Sequence, residues 1–324
     1  MKKKQYTNWK LIYTSKNERR KVFRGINKDD QKERIYVKKI EIFPEDYQKI
    51  LKEIYFLVLL IDKDYFVQIS DILFSKDEKF IYLIFKGSVK TDLGIIIDKK
   101  HDCLKDRKKI KWIIFQIVFA LYCLHSSNFV HNDIKPANIV IDRGCNIEIC
   151  DFGTVTLKEK GNITEYTKIY SSPELLLDGK TDEKSDMWSF GLIIVELLLI
   201  KYCYLKPENQ GNNIEKNELL KYIFLKCGID IKSNGVYDEF KKYINEEKKI
   251  IFTDEEKKII NDQNMMDLLD HLLVLDPKKR YSAKEVLQFY FKEYYNDNPT
   301  NIKKKTFESK CKNLIRKLKK KIFK

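Results

Sequence analysis

An aspartate, a lysine, an asparagine and a second aspartate stand at Asp133, Lys135, Asn138 and Asp151, inside the stretch HNDIKPANIVIDRGCNIEICDFG that runs from His131 to Gly153. Between Asn138 and Asp151 lies IVIDRGCNIEIC, which reads as two short strands around a turn at Asp142 to Cys145. A hairpin of that kind returns Asp151 to the side of Asn138. Two oxygen ligands, one lysine and one carboxylate then share a small space. Transfer of a phosphoryl group demands that set. Metal ions neutralise the phosphates, a lysine takes up charge and a carboxylate orients the attacking hydroxyl. Each residue alone is ordinary, since an aspartate in a turn is usually a cap or turn former. The joint spacing carries the reading.

The elements that must position these residues are legible on both sides of them. Ile110 to His125, IKWIIFQIVFALYCLH, is apolar almost all round and holds no breaker, the pattern of a buried helix. It leads through SSNFV into His131. Far upstream, LIYTS and KVFRGI read as a first hairpin, and IYVKKIEI (Ile35 to Ile42) alternates as a third strand. EDYQKILKEIYFLVLLI follows Pro44 with helical periodicity. VQISDILF and KFIYLIF, joined by SKDEK, form another hairpin, and FKGSVKTDLG (Phe85 to Gly94) reads as an exposed connector. The fold class is therefore α+β, with a mainly β first part and a mainly α second part.

Composition narrows the function classes. The 324 residues carry 63 basic and 48 acidic side chains, a net charge of +15. Ile302 to Lys324 holds eleven Lys or Arg and one Glu, so the remaining chain carries only +5. The body is no general nucleic-acid surface. Seven cysteines without paired spacing, and no signal peptide, point to a reducing interior, cytoplasm or nucleus. No CxxC pair is present to build a zinc site. The apolar runs Ile54 to Ile61 and Phe190 to Ile200 are too short to span a bilayer, so a soluble protein without a transmembrane segment is expected.

His131 to Gly153 resembles the catalytic loop HRDxKxxN and the DFG motif of the eukaryotic-type protein kinases. IYVKKI resembles their VAIKKI strand, which places Lys38 on the lysine that holds the α- and β-phosphates and Glu53 on its helix partner. Lys39 is the rival lysine. Turning it to the nucleotide side would turn Lys38, Ile40 and Ile42 to the other face, so Lys38 is favoured. The resemblance implies that Asp133 takes or orients the proton of the substrate hydroxyl and that Lys135 stabilises the transferring phosphate. Asn138 and Asp151 would hold Mg2+, and Thr167 would touch the catalytic Asp and Lys. Val22, Phe85 and Ser88 fall on nucleotide-facing positions, Phe85 as the residue guarding the rear pocket and Ser88 in the connector whose backbone meets adenine. Ser172-Pro173-Glu174 stands for APE, Arg280 for the arginine that pairs with that glutamate, and SDMWSFG (Ser185 to Gly191) for DxWxxG, with Asp186 bracing the catalytic loop. Lys135 is similar to the serine/threonine kinases, and YSSPELLLDGKTDEKSDMWSFG to their cyclin-dependent and MAP kinase branch. The implied organisation is a kinase domain over 9–292, with a small lobe to about 85, a hinge over 86–94 and a large lobe over 95–292. Residues 293–324 form a linker and tail.

Several positions depart from the family pattern. Counting back from Val22, its three loop glycines are Ser15, Asn17 and Arg20, and no glycine precedes Gly25. Such a loop approaches phosphates less closely, with Arg19 or Arg20 as alternative sources of charge. Tyr36 replaces the adenine-facing alanine. These departures predict weak nucleotide affinity, and they keep a pseudokinase, a binding or scaffolding module, as the alternative to an active enzyme using ATP and Mg2+. Asn132 replaces the HRD arginine, Thr156 another basic position and Ser171 the arginine before APE, leaving Lys52 to meet an activation-loop phosphate. The expectation is an enzyme independent of such a phosphate, its loop ordered by packing of Ile163, Tyr166 and Ile169. Thr164-Glu165-Tyr166 spells the MAP kinase Thr-Glu-Tyr, but directly before Thr167, and carries little weight. Expected partners are protein substrates and a regulatory protein.

In the tail, Phe307, Cys311, Leu314, Ile315, Leu318 and Ile322 recur at helical spacing among lysines. The pattern fits a helix on the protein's own large lobe or a disordered tail. It fits equally a basic amphipathic helix for an acidic membrane, an acidic partner or nuclear import.

Overall fold

The computed structural model describes residues 6–15, 17–27, 34–87, 90–158, 163, 166–207, 214–231, 236–244 and 246–293. The tail, Ser88 and Thr164-Glu165 lie outside them. The chain divides into two units, one within 1–63 and 67–88, the other comprising 64–66 and 89–295.

The first unit is a five-stranded antiparallel sheet with one helix. Its strands are β1 (Tyr6–Thr14), β2 (Arg20–Asn27), β3 (Arg34–Glu41), β4 (Ile69–Phe74) and β5 (Phe80–Gly87), and its helix α1 spans Tyr47–Leu59. The order across the sheet is β1-β2-β3-β5-β4. Pro44 opens a 3-10 turn that leads into α1, as proline's fixed φ favours. α1 buries Ile50, Glu53, Ile54, Phe56, Leu57 and Val58. Because β3 alternates, Lys38 and Lys39 point to opposite faces. Val22 and Leu83 lie directly across from Lys38, and Phe85 lies across from Tyr36. One face of the sheet therefore carries Val22, Tyr36, Lys38 and Phe85.

Two hairpin turns of this sheet are nearly the same structure. Ser15–Arg20 reads SKNERR and Ser75–Phe80 reads SKDEKF. In each, the serine N–H donates to the carbonyl five residues on, at 2.9 Å in both. The serine hydroxyl donates to the Asn17 or Asp77 side chain and accepts the N–H of Arg20 or Phe80, at 3.0 Å in both. The Asn17 and Asp77 oxygens accept from Arg19 and Lys79 N–H, at 3.3 Å in both. Glu18 and Glu78 adopt φ of 57° and 58°. A serine and an acceptor two residues later close the turn by themselves.

The second unit is mainly helical. It opens with the two-residue strand β6 (Thr91–Asp92) and α2 (Leu93–Asp98), followed by α3 (Arg107–Ser126). The expected exposed connector is thus shorter than read, since β5 runs on through Gly87 and Leu93 and Gly94 are buried. Asp92 explains the difference by capping α2 through the Ile95 N–H. α3 starts at Asp106, whose carboxylate accepts from Lys108 N–H, and it buries most of its length in this unit. It is long and apolar enough to cross a membrane by length and composition alone, longer than the apolar runs picked out in the sequence. Its burial in the unit's core accounts for that composition.

Strands β7 (Phe129–Val130), β8 (Ile139–Ile141), β9 (Ile147–Ile149) and β10 (Thr156–Leu157) follow α3. β8 and β9 form the expected hairpin, and β10 pairs with β7. Helices α4 (Pro173–Asp178), α5 (Glu183–Leu199), α6 (Lys216–Lys226), α7 (Val236–Tyr243), α8 (Asp254–Ile260), α9 (Gln263–Leu272) and α10 (Ala283–Tyr290) complete the unit. α5 is buried along nearly its whole length. At Gly191 a Cβ would come within 2.8 Å of the Leu273 side chain, so a larger residue would force that packing to shift.

Candidate active site

The β8–β9 hairpin does what its sequence promised. Cys150 N–H donates to Asn138 O at 2.9 Å, so Asp151 follows directly on the chain beside Asn138. The turn is held by Asp142, whose carboxylate accepts from Gly144 and Asn146 N–H. Gln116 on α3 pins it from below. Its amide donates to Cys145 O at 2.8 Å and accepts from Ile147 N–H at 3.2 Å. This buried glutamine was not singled out in the sequence; a lone polar residue in an apolar helix was its only signal.

Three side chains converge on Asp133. Lys135 Nζ donates to its Oδ2 at 2.6 Å, Thr167 Oγ1 donates to its Oδ1 at 2.6 Å, and Asn138 Nδ2 donates to Oδ2 at 2.9 Å. Lys135 Nζ also reaches Thr167 Oγ1 at 2.6 Å. Asn138 Nδ2 further donates to Asp133 O, which commits the amide nitrogen to the loop and leaves Oδ1 for a cation. Asp151 sits in a left-handed conformation, φ 65°.

The catalytic loop is braced from α5. Asp186 accepts from His131 N–H and Asn132 N–H at 2.8 Å each, and His125 Nε2 bonds the same carboxylate at 2.9 Å. Full burial holds the His131 imidazole below its ordinary pKa, against the pull of Asp186, Asp133 and Asp151. Farther out, Arg280 donates to both oxygens of Glu174, at 2.7 and 3.2 Å. Burial alone would raise the Glu174 carboxyl, but the Arg280 guanidinium outweighs it and holds the pKa below the usual value.

Ile163, Tyr166 and Ile169, expected to order their segment by packing, are half-buried. The anchors are polar: Thr167 on Asp133, Ser171 Oγ on Thr167 O at 3.0 Å, and the buried Tyr170, whose hydroxyl donates to Glu196 Oε2 at 3.1 Å. Burial pushes the Glu196 carboxyl up to about 8, despite its bonds from Tyr204 N–H and Tyr170. No regular spacing marks Tyr170 and Glu196 as partners.

In the first unit, Lys38 Nζ bonds Glu53 Oε1 at 2.5 Å. Glu53 is 2 % exposed, and its Oε2 is buried with no hydrogen-bond partner among the described residues. Lys39 instead covers the Phe80 ring at 3.6 Å. Arg19, one of the two arginines read as an alternative source of charge, has neighbours of its own. It lies over the Phe43 ring at 4.0 Å and pairs with Glu45 and Asp46 at 3.4 and 3.5 Å.

An α+β chain with a lysine–glutamate pair in its sheet unit and an Asp–Lys–Asn–Thr cluster in its helical unit has the make-up of a protein kinase. The protein kinase domain model matches residues 18–291. Mitogen-activated protein kinase 15 of Xenopus laevis is 32% identical over 254 residues, 75% of this chain and 42% of that protein. Mitogen-activated protein kinase 10 of Oryza sativa is 32% identical over 280 residues, 80% and 44% respectively. Mitogen-activated protein kinase 13 of Arabidopsis thaliana is 31% identical over 269 residues, 79% and 71%. The chain belongs to the protein kinase family, in the serine/threonine branch that holds the mitogen-activated protein kinases. It spans about half the length of several of the curated relatives it matches.

Proposed function

We propose that this protein transfers the γ-phosphoryl group of ATP, as its magnesium complex, to serine or threonine hydroxyls of proteins. The observation that carries this is the convergence of Lys135, Asn138 and Thr167 on the Asp133 carboxylate. Asp133 takes the hydroxyl proton while the hydroxyl oxygen attacks the γ-phosphorus and the bond to the β–γ bridging oxygen breaks. Lys135 offsets the charge that develops on the transferred group, and Thr167 fixes both side chains. Lys38, held by Glu53, takes the α- and β-phosphates, and Val22, Phe85 and Ser88 contribute to nucleotide binding.

The donor set fits magnesium. Asn138 Oδ1 and the Asp151 carboxylate are hard oxygen ligands, and no cluster of three or more His, Cys, Asp or Glu exists among the described residues. Magnesium favours one or two carboxylates completed by phosphates and water. Bound there, it would neutralise phosphate charge. The kinase domain is assigned to 9–292. Its partners are protein substrates and a regulatory protein, the basic tail meets an acidic surface, and the setting is intracellular.

The closed β1–β2 turn favours one second reading, a pseudokinase that binds partners without turnover. A radiolabelled-ATP assay on a generic basic substrate separates the two. The parent should label the substrate, and Asp151→Ala and Lys38→Met should each lose transfer while remaining folded, because each removes several kcal/mol of transition-state stabilisation. Full transfer by the Asp151 variant sinks the assignment. Transfer by Lys38→Met alone shifts the role to Lys39.

A further inference from the structure

Asn132 stands between His131 and Asp133, 6 % exposed and with φ 69°. Asparagine is among the few non-glycine residues that adopt this conformation readily. Its side chain is fully used. Nδ2 donates to Thr156 Oγ1 and Thr154 O at 2.9 Å each, and to Val130 O at 3.3 Å. Oδ1 accepts from Thr181 Oγ1 at 2.7 Å, and Thr181 is itself buried. Thr154 Oγ1 donates back to His131 O at 2.9 Å. One uncharged amide thus joins the catalytic loop to the chain just after Asp151 and to the chain just after α4. The segment between those two ends contains Thr167, which bonds Asp133.

We infer that Asn132 and Thr181 are positioning residues that hold Thr154 to Thr156 and Thr181 against the loop of Asp133 by a neutral clasp. The clasp is complete in the unmodified chain. A cation buried at position 132 would need an anionic partner, such as a phosphate, to offset its desolvation; an amide needs only donors and acceptors, and these are present. This inference rests on the kinase reading above.

The test uses the full chain made in bacteria, treated with phosphatase and shown by mass spectrometry to carry no phosphate. Variants are Thr181→Val, Thr181→Ser and Asn132→Leu. Thr181→Val and Asn132→Leu should lower kcat by about tenfold or more with KM for ATP changed by less than about twofold, because the clasp touches no nucleotide-binding residue. Thr181→Ser, which keeps the hydroxyl, should retain at least about half the parent rate. Hydrogen exchange in the peptide spanning Thr154 to Leu157 should quicken in Thr181→Val and not in Thr181→Ser. A Thr181→Val enzyme at the parent rate, or one whose exchange is unchanged, overturns the clasp. If the parent never transfers phosphate, the kinase reading fails, and the exchange experiment still decides whether the clasp exists.

Discussion

In the β1–β2 turn, the side-chain bonds of Ser15 and Asn17 reach no farther than Arg20, five residues along. Around Asp133 the bonds reach 34 residues to Thr167, and the loop's backbone reaches 55 residues to Asp186. The serine and the acceptor two residues on close the turn locally, and the β4–β5 turn repeats these bonds almost one for one. The loop around Asp133 combines local bonds from Lys135 and Asn138 with remote ones from Thr167 and to Asp186. The difference separates two kinds of departure from the family. Where glycines are lost in the first unit, a generic hairpin has taken the place of a specialised loop. Where the arginine is lost in the second unit, Asn132 makes a new set of long-range bonds.

The largest effect expected from breaking this contrast is at the remote-coupled end. Asp133→Asn removes the proposed proton acceptor and the charge that three side-chain bonds share, and should lower kcat by roughly 10²–10⁴-fold with little change in ATP binding, checked by steady-state kinetics and calorimetry. A loss under about tenfold would move the base elsewhere.

Arg280→Met should cost about 3–5 kcal/mol in urea unfolding, since it strands the Glu174 carboxylate beside a buried methionine. A cost near zero would show that the pair is replaceable by apolar packing and that the second unit is less dependent on remote pairs than it looks.

Glu196 gives a smaller effect that depends on pH. Its pKa rises from 4.5 to about 8 on folding, so between those values the folded state binds more protons than the unfolded one. Stability contributed by the group is present below pH 4.5 and is lost as pH rises through 8. Unfolding free energies at pH 5 and pH 8 should fall more steeply for the parent than for Glu196→Gln. Parallel slopes would mean that the carboxyl is ionised in place.

The smallest effect sharpens the comparison most. Ser15→Ala and Ser75→Ala should each cost about 1 kcal/mol, equal within experimental error, because each deletes the same hydroxyl from the same turn. Neither should change KM for ATP by more than about twofold. A large rise in KM for Ser15→Ala alone would restore the β1–β2 turn as a phosphate-binding element.

Much of this protein was legible without coordinates. The apolar run of α3, the alternation of β3 and the Asn138–Asp151 hairpin depend on local periodicity and turn chemistry, which a sequence carries directly. The same alternation separated Lys38 from Lys39. The order Lys38, Glu53, Asp133, Asn138, Asp151 was enough for the family resemblance. The β1–β2 turn was also written locally, as a second copy of SKxE, yet its meaning depended on comparing two turns rather than counting missing glycines.

Other features had no local signal. Asn132 looked like a loss until Thr156 and Thr181, 24 and 49 residues away, met its amide. That Arg19 lies beside Glu45, Asp46 and the Phe43 ring had no local signal either. Tyr170 and Glu196, 26 residues apart, form a buried pair that no spacing marks. The sequence by itself determined which residues could do phosphoryl chemistry and which helices and hairpins carry them, because those depend on spacing along the chain. Only the tertiary structure decided which polar group satisfies which, because a buried donor takes whatever acceptor folding brings within about 3 Å, whatever the distance in sequence.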